Sequence, residues 1–122
     1  MRIKWEGQPT LEEMNRYFQD IAAMYRSQQP LVVLFDARHA SVPTTAITFR
    51  FVSGLRANHA LGGQYVRAAA LIIDSPLIAR AADSIRWVYQ APYPVKVYSS
   101  PDEAEVWLRN AFGHPSVPDL EL

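Results

Sequence analysis

The chain contains no cysteine. Disulfides, thiolate metal sites and cysteine nucleophiles are therefore all excluded. It also lacks a surplus of positive charge, because 12 Lys and Arg balance 12 Asp and Glu. General binding to nucleic acid or to an anionic membrane surface needs such a surplus, so neither is expected. No apolar run approaches the roughly 18 residues that cross a bilayer. The opening MRIKWEGQPT has no apolar signal core. The chain is thus expected in the cytoplasm, without a membrane span.

The residues of a catalytic set are also missing. His39, His59 and His114 fall in separate segments without metal-ligand spacing. Asp36, His39 and Ser41 supply acid, base and nucleophile types, but a triad is defined by geometry, and these sit too close in sequence to imply one. Gly62-Gly63 lacks the lysine and the strand-to-helix setting of a phosphate-binding loop. The sequence points to no enzyme, no metal and no cofactor.

What is present suits a globular protein. The 122 residues are 49% hydrophobic and 20% charged, enough for one domain with a real core. RIKWE, residues 2 to 6, alternates as a half-buried or edge strand. Thr10 and Glu13 have capping-box spacing, and Leu11, Met14, Phe18, Ile21 and Tyr25 then form a helical stripe. Leu31 to Phe35 is continuously apolar, as in a central parallel strand. A second helix is expected from about Thr44 to Asn58, with Ile47, Phe51 and Leu55 inward. Gly54 inside it implies a close helix crossing or a neighbour lying over the helix. A strand over Val66 to Ile73 leads to Ser75-Pro76, a cap and first-turn proline. The third helix should turn Leu77, Ala81, Ile85 and Val88 inward, with Trp87 read as core beside them. Val95 to Tyr98 is a short edge strand, and Ser100-Pro101-Asp102-Glu103 starts a last helix with Ala104, Trp107, Leu108 and Ala111 inward. Residues 1 to 112 make the domain, and residues 113 to 122 should be a loose tail.

The alternation predicts an α/β fold: a single, mostly parallel (mixed) sheet of about four strands with about four helices. Ligands of such sheets usually bind outside the strand C-termini. Asp36, Arg38, His39, Ser41, Thr44 and Thr45 are expected in a loop at that edge, joined by Asp74-Ser75 and Ser99-Ser100. Helix N-termini there favour an anion. Both threonines are explained as helix caps. Phe49, flanked by Arg50 and with Arg56 further on, is a candidate interface anchor.

Three stretches carry a family resemblance: LVVLFDAR before a loop and helix, RAAALIIDSP, and VKVYSSPDEAEVWL. In this order the chain resembles the STAS superfamily, the anti-sigma-factor-antagonist fold, in its SpoIIAA-like branch, over roughly residues 2 to 112. The resemblance implies a non-enzymatic protein-interaction or regulatory module. Its partner would be a protein such as a regulatory kinase or an anti-sigma-like protein, with homodimerisation a further option. The interaction surface would comprise Asp36, Arg38, His39, Ser41, Phe49, Arg50 and Arg56. Regulatory members carry a phosphorylated hydroxyl at the start of the helix after the acid. Here that maps to Thr45 or Thr44, without the family motif's own aspartate and glycine. The alternative implied by resemblance is a CRAL-TRIO-like binder of a lipid or small hydrophobic molecule. A preformed apolar cavity would favour that alternative, and a filled core with exposed aromatics would favour the interaction module.

Overall fold

The computed structural model describes residues 1–112 and 119–121. The elements run β1 (Arg2–Gly7), α1 (Leu11–Tyr25), β2 (Leu31–Ala40), α2 (Thr45–Ala57), α3 (His59–Tyr65), β3 (Val66–Ile72), α4 (Pro76–Val88), β4 (Val95–Tyr98), α5 (Pro101–Phe112) and β5 (Asp119–Glu121). They form one sheet of order β4-β3-β2-β1-β5. Each neighbouring pair is parallel, so the sheet has none of the mixed character allowed for above. The short β5 lies in the segment read as a tail, and the rest of that segment falls outside the described residues.

The topology decides which helix covers which face. β1 to β4 are laid down side by side in one direction, so right-handed crossovers put α1 to α4 on one face. The return to β5 reverses direction and carries α5 to the other. The period of two in β2 records this division. Val33 and Phe35 meet α1 and α2, whereas Val32 and Leu34 meet Ala104 and Leu108 of α5.

Local signals place most of the ends. Thr10 and Glu13 complete a capping box at α1. Along α1 the buried stripe is Met14, Tyr17, Phe18, Ile21 and Tyr25, while Leu11 is exposed. β1 ends at Gly7, whose φ of 61° is the left-handed conformation a glycine adopts freely.

Three expectations need correction. β2 does not stop at Phe35. Its partner β1 stays paired through Glu6–His39 and Gly7–Ala40, so Asp36, Arg38 and His39 are strand residues. A separate helix, α3, runs through Gly62 and Gly63, where Tyr25, Tyr93 and Pro92 pack close to the glycine backbone. In α4 the inward stripe contains Ile78, Ala82 and Ile85; Leu77 and Val88 are exposed, and so is Trp87 at 74%. The inward phase is set by what α4 covers, which is a cavity.

A candidate ligand cavity between the sheet and its helices

A cavity of about 410 Å³ lies between the inner face of β1, β2 and β3 and the helices α1, α2 and α4. Its origin is legible in side-chain size. The floor includes Ala37, Ala40 and Ala69, and the roof on α4 includes Ala81 and Ala82. Methyl groups on both sides are too short to meet across the layer, and the close packing usual in protein interiors fails there.

The α1 and α2 side is an aromatic wall. Trp5 sits 5.5 Å from Phe35 and 5.3 Å from Phe51, centroid to centroid. Tyr17 meets Phe18 edge-on at 4.8 Å and stacks on Phe51. Rings in these tilted and edge-on arrangements hold one another rigidly. The indole N–H of Trp5 is buried with no hydrogen-bond partner among the described residues.

The end of the cavity near the strand N-termini differs. Tyr25 closes α1, Tyr89 follows α4 and Tyr93 precedes β4, so the chain delivers all three there. Tyr17 reaches the same group. Burial, and then the neighbouring Tyr89, push the Tyr25 phenol up to about 12. Burial and the neighbouring phenols hold Tyr17 and Tyr93 above the ordinary phenol range. All three therefore stay protonated at physiological pH and can donate hydrogen bonds. Tyr89 is also raised by burial, and its hydroxyl contacts His59 Nδ1 at 2.9 Å. Among the described residues no cluster of His, Asp and Glu could hold a metal ion.

A family model described as SpoIIAA-like matches residues 1–109. The chain belongs to the SpoIIAA-like family. A solved structure agrees in fold: a crystal structure of an uncharacterized protein of the DUF3478 family with a SpoIIAA-like fold, from Shewanella loihica PV-4. It is similar at a TM-score of 0.64 and 18% identity, covering 86% of this chain and 80% of that one. No curated protein matches. As a SpoIIAA-like domain the chain has the α/β architecture its sequence resembles. No helix among the described residues is long and apolar enough to cross a membrane.

Within this SpoIIAA-like fold, the residues expected to share one edge loop are divided. Asp36 is buried on the α5 face, away from the cavity. It accepts from the backbone N–H of Arg38 at 3.1 Å and from the guanidinium at 3.0 and 2.7 Å. Those bonds hold its carboxyl below the ordinary carboxylate range against the opposing effect of burial. His39 is exposed. Ser41 is exposed at the cavity rim, and its backbone N–H donates to Gly7 O. Thr44 is the N-cap of α2, its hydroxyl accepting from the Ile47 N–H, while Thr45 is the first helical residue and exposed. Phe49 is 78% exposed. Arg50 does not project freely beside it: its Nε donates to Asn15 Oδ1 at 2.7 Å, and its guanidinium lies over the Phe18 ring. Arg56 donates to Val88 O at 3.4 Å, tying α2 to α4.

Sequence reasoning did not place Trp5, Tyr17, Tyr89 and Tyr93 around a cavity. The signal available was the coincidence of alanine-rich β3 and α4 with tyrosines at element ends.

Proposed function

We propose that this SpoIIAA-like chain is a non-catalytic binding protein for a small apolar molecule held between sheet and helices. The observation that carries this reading is the cavity. It offers about 410 Å³ between the sheet and the helices, open to solvent at its rim. The volume falls within the roughly 300–1,000 Å³ of small-molecule sites, and the mostly apolar lining with a few polar groups is their usual make-up. The resemblance alone placed protein interaction first and ligand binding second, and the cavity supports the reverse order.

A titration with 1-aminoanthracene, a neutral probe that fluoresces in apolar surroundings, tests this. Saturable one-to-one binding by the folded protein is expected. Emission no different from that with an unrelated protein of similar size would end the proposal.

A second reading keeps the interaction module, and the exposure of Phe49 and Trp87 favours it. Exposed aromatics of this size are characteristic anchors of protein interfaces. Self-association through them would appear as a concentration-dependent mass in analytical ultracentrifugation. A single monomer species at every concentration would remove the homodimer.

A further inference from the structure

We propose that the cavity takes a neutral amphiphile, an apolar ring or short chain bearing an oxygen acceptor that is held by the hydroxyls of Tyr17, Tyr25 and Tyr93. This rests on the cavity being a ligand site and names the chemistry of its occupant. The three rings line one end of the cavity. Tyr25 and Tyr93 adjoin each other, since a Cβ built on Gly62 would lie 3.5 Å from both the Tyr25 hydroxyl and the Tyr93 ring. Tyr17 and Tyr25 are more than nine-tenths buried, with 6% and 7% exposure. Among the described residues none bonds to the hydroxyls of Tyr17, Tyr25 or Tyr93, whereas Tyr89 has His59. These hydroxyls are not sealed from solvent, and with no partner in the protein they can donate to an acceptor oxygen that enters the cavity.

The charge of that acceptor follows from what surrounds it. Besides the Met1 ammonium, which donates to Val32 O at 2.7 Å, the one charged residue lining the cavity among those described is Arg86. It sits on the exposed side of α4, 3.8 Å from Asp83. The shifts of Tyr17, Tyr25 and Tyr93 arise from burial and from neighbouring phenols, Tyr89 included, with no cation acting on them. A carboxylate or phosphate set among these phenols would lose its hydration with no cation acting on the phenols beside it. A carbonyl or hydroxyl oxygen loses little and gains donors. The opposite end, walled by Trp5, Phe35 and Phe51 and roofed by Ile78, takes the apolar body.

Three probes of one skeleton test this by displacement of 1-aminoanthracene: 2-acetylnaphthalene, its isosteric hydrocarbon 2-isopropenylnaphthalene, and 2-naphthoate. The ketone should bind about five- to tenfold more tightly than the hydrocarbon, the return of one neutral hydrogen bond. The naphthoate should bind weakest. In a Tyr17→Phe/Tyr25→Phe/Tyr93→Phe variant the ketone should fall to the hydrocarbon's affinity, with the hydrocarbon unchanged. The ligand-free variant should melt no lower than wild type, because only unbonded hydroxyls leave. The wild-type series stands on its own if the variant fails to fold. Equal binding of ketone and hydrocarbon, or tightest binding of the naphthoate, would overturn the proposal while leaving the cavity a site. Failure of every probe to bind would overturn both.

Discussion

The ring of Phe18 lies directly over Gly54, so that a Cβ added to the glycine would overlap the ring. The helix tolerates a residue that costs about 1 kcal/mol relative to alanine because α1 and α2 meet there with no room for a side chain. Phe18 cannot simply turn aside, since Tyr17, Phe51 and Arg50 hold its other faces. Gly54→Ala should therefore destabilise the protein by about 1–3 kcal/mol despite its gain in helix propensity. Urea denaturation checks this, and an unchanged or raised midpoint would show that Phe18 yields freely.

Thr44 and Thr45 stand side by side but do different things. Thr44→Ala removes the bond to the Ile47 N–H and should cost about 1 kcal/mol. Thr45→Ala, at an exposed first-turn position, should stay within about 0.5 kcal/mol. Equal losses in thermal melts would mean that Thr45 makes contacts beyond its own turn.

The Asp36–Arg38 pair predicts a pH dependence of definite sign. Arg38 lowers the pKa of Asp36 in the folded state, so the unfolded state takes up its proton first as pH falls. The stabilisation is fully present above the unfolded carboxylate value of about 3.9 and is lost as pH drops below it through the lowered folded value. Arg38→Gln should thus lower the urea midpoint at neutral pH, with the difference narrowing in acid. A difference independent of pH would assign the loss to packing of the arginine stem.

Phe49→Ser and Trp87→Ser should leave stability within about 0.5 kcal/mol, because both side chains are largely in solvent. Any fall in self-association in the ultracentrifuge would then report on an interface and not on the fold. A large loss of stability in either variant would contradict the exposed placement.

Much of this fold could be read in the chain. The capping box at Thr10, the apolar run from Leu31 and the Ser75-Pro76 start fixed the element order, because each depends on near neighbours in sequence. The end of β2 was misread because Asp36 looked like a strand terminator. In the fold its charge is met by Arg38 two residues on, along the same strand. Leu77 and Ile78 compete for the inward face of α4 at helical spacing, and only the position of the helix over Ile73 and Ala37 decides between them. The site was less legible still. An absence of side-chain volume, made by alanines on β2, β3 and α4, depends on how far apart the layers settle. No local pattern records that distance. Asp36, His39, Phe49 and Arg56 attracted notice by their chemistry, yet the fold brings none of them into the cavity.

The central claim is that an apolar molecule enters this cavity and not some outer surface. Methyl NMR of the protein titrated with 1-aminoanthracene measures this directly. Saturating shifts are predicted at Leu55, Leu71, Ile73 and Ile78, which line the cavity, with little change at the exposed Leu61, Val97 and Val106. Shifts confined to the exposed methyls, or none at all at saturating probe, would contradict it.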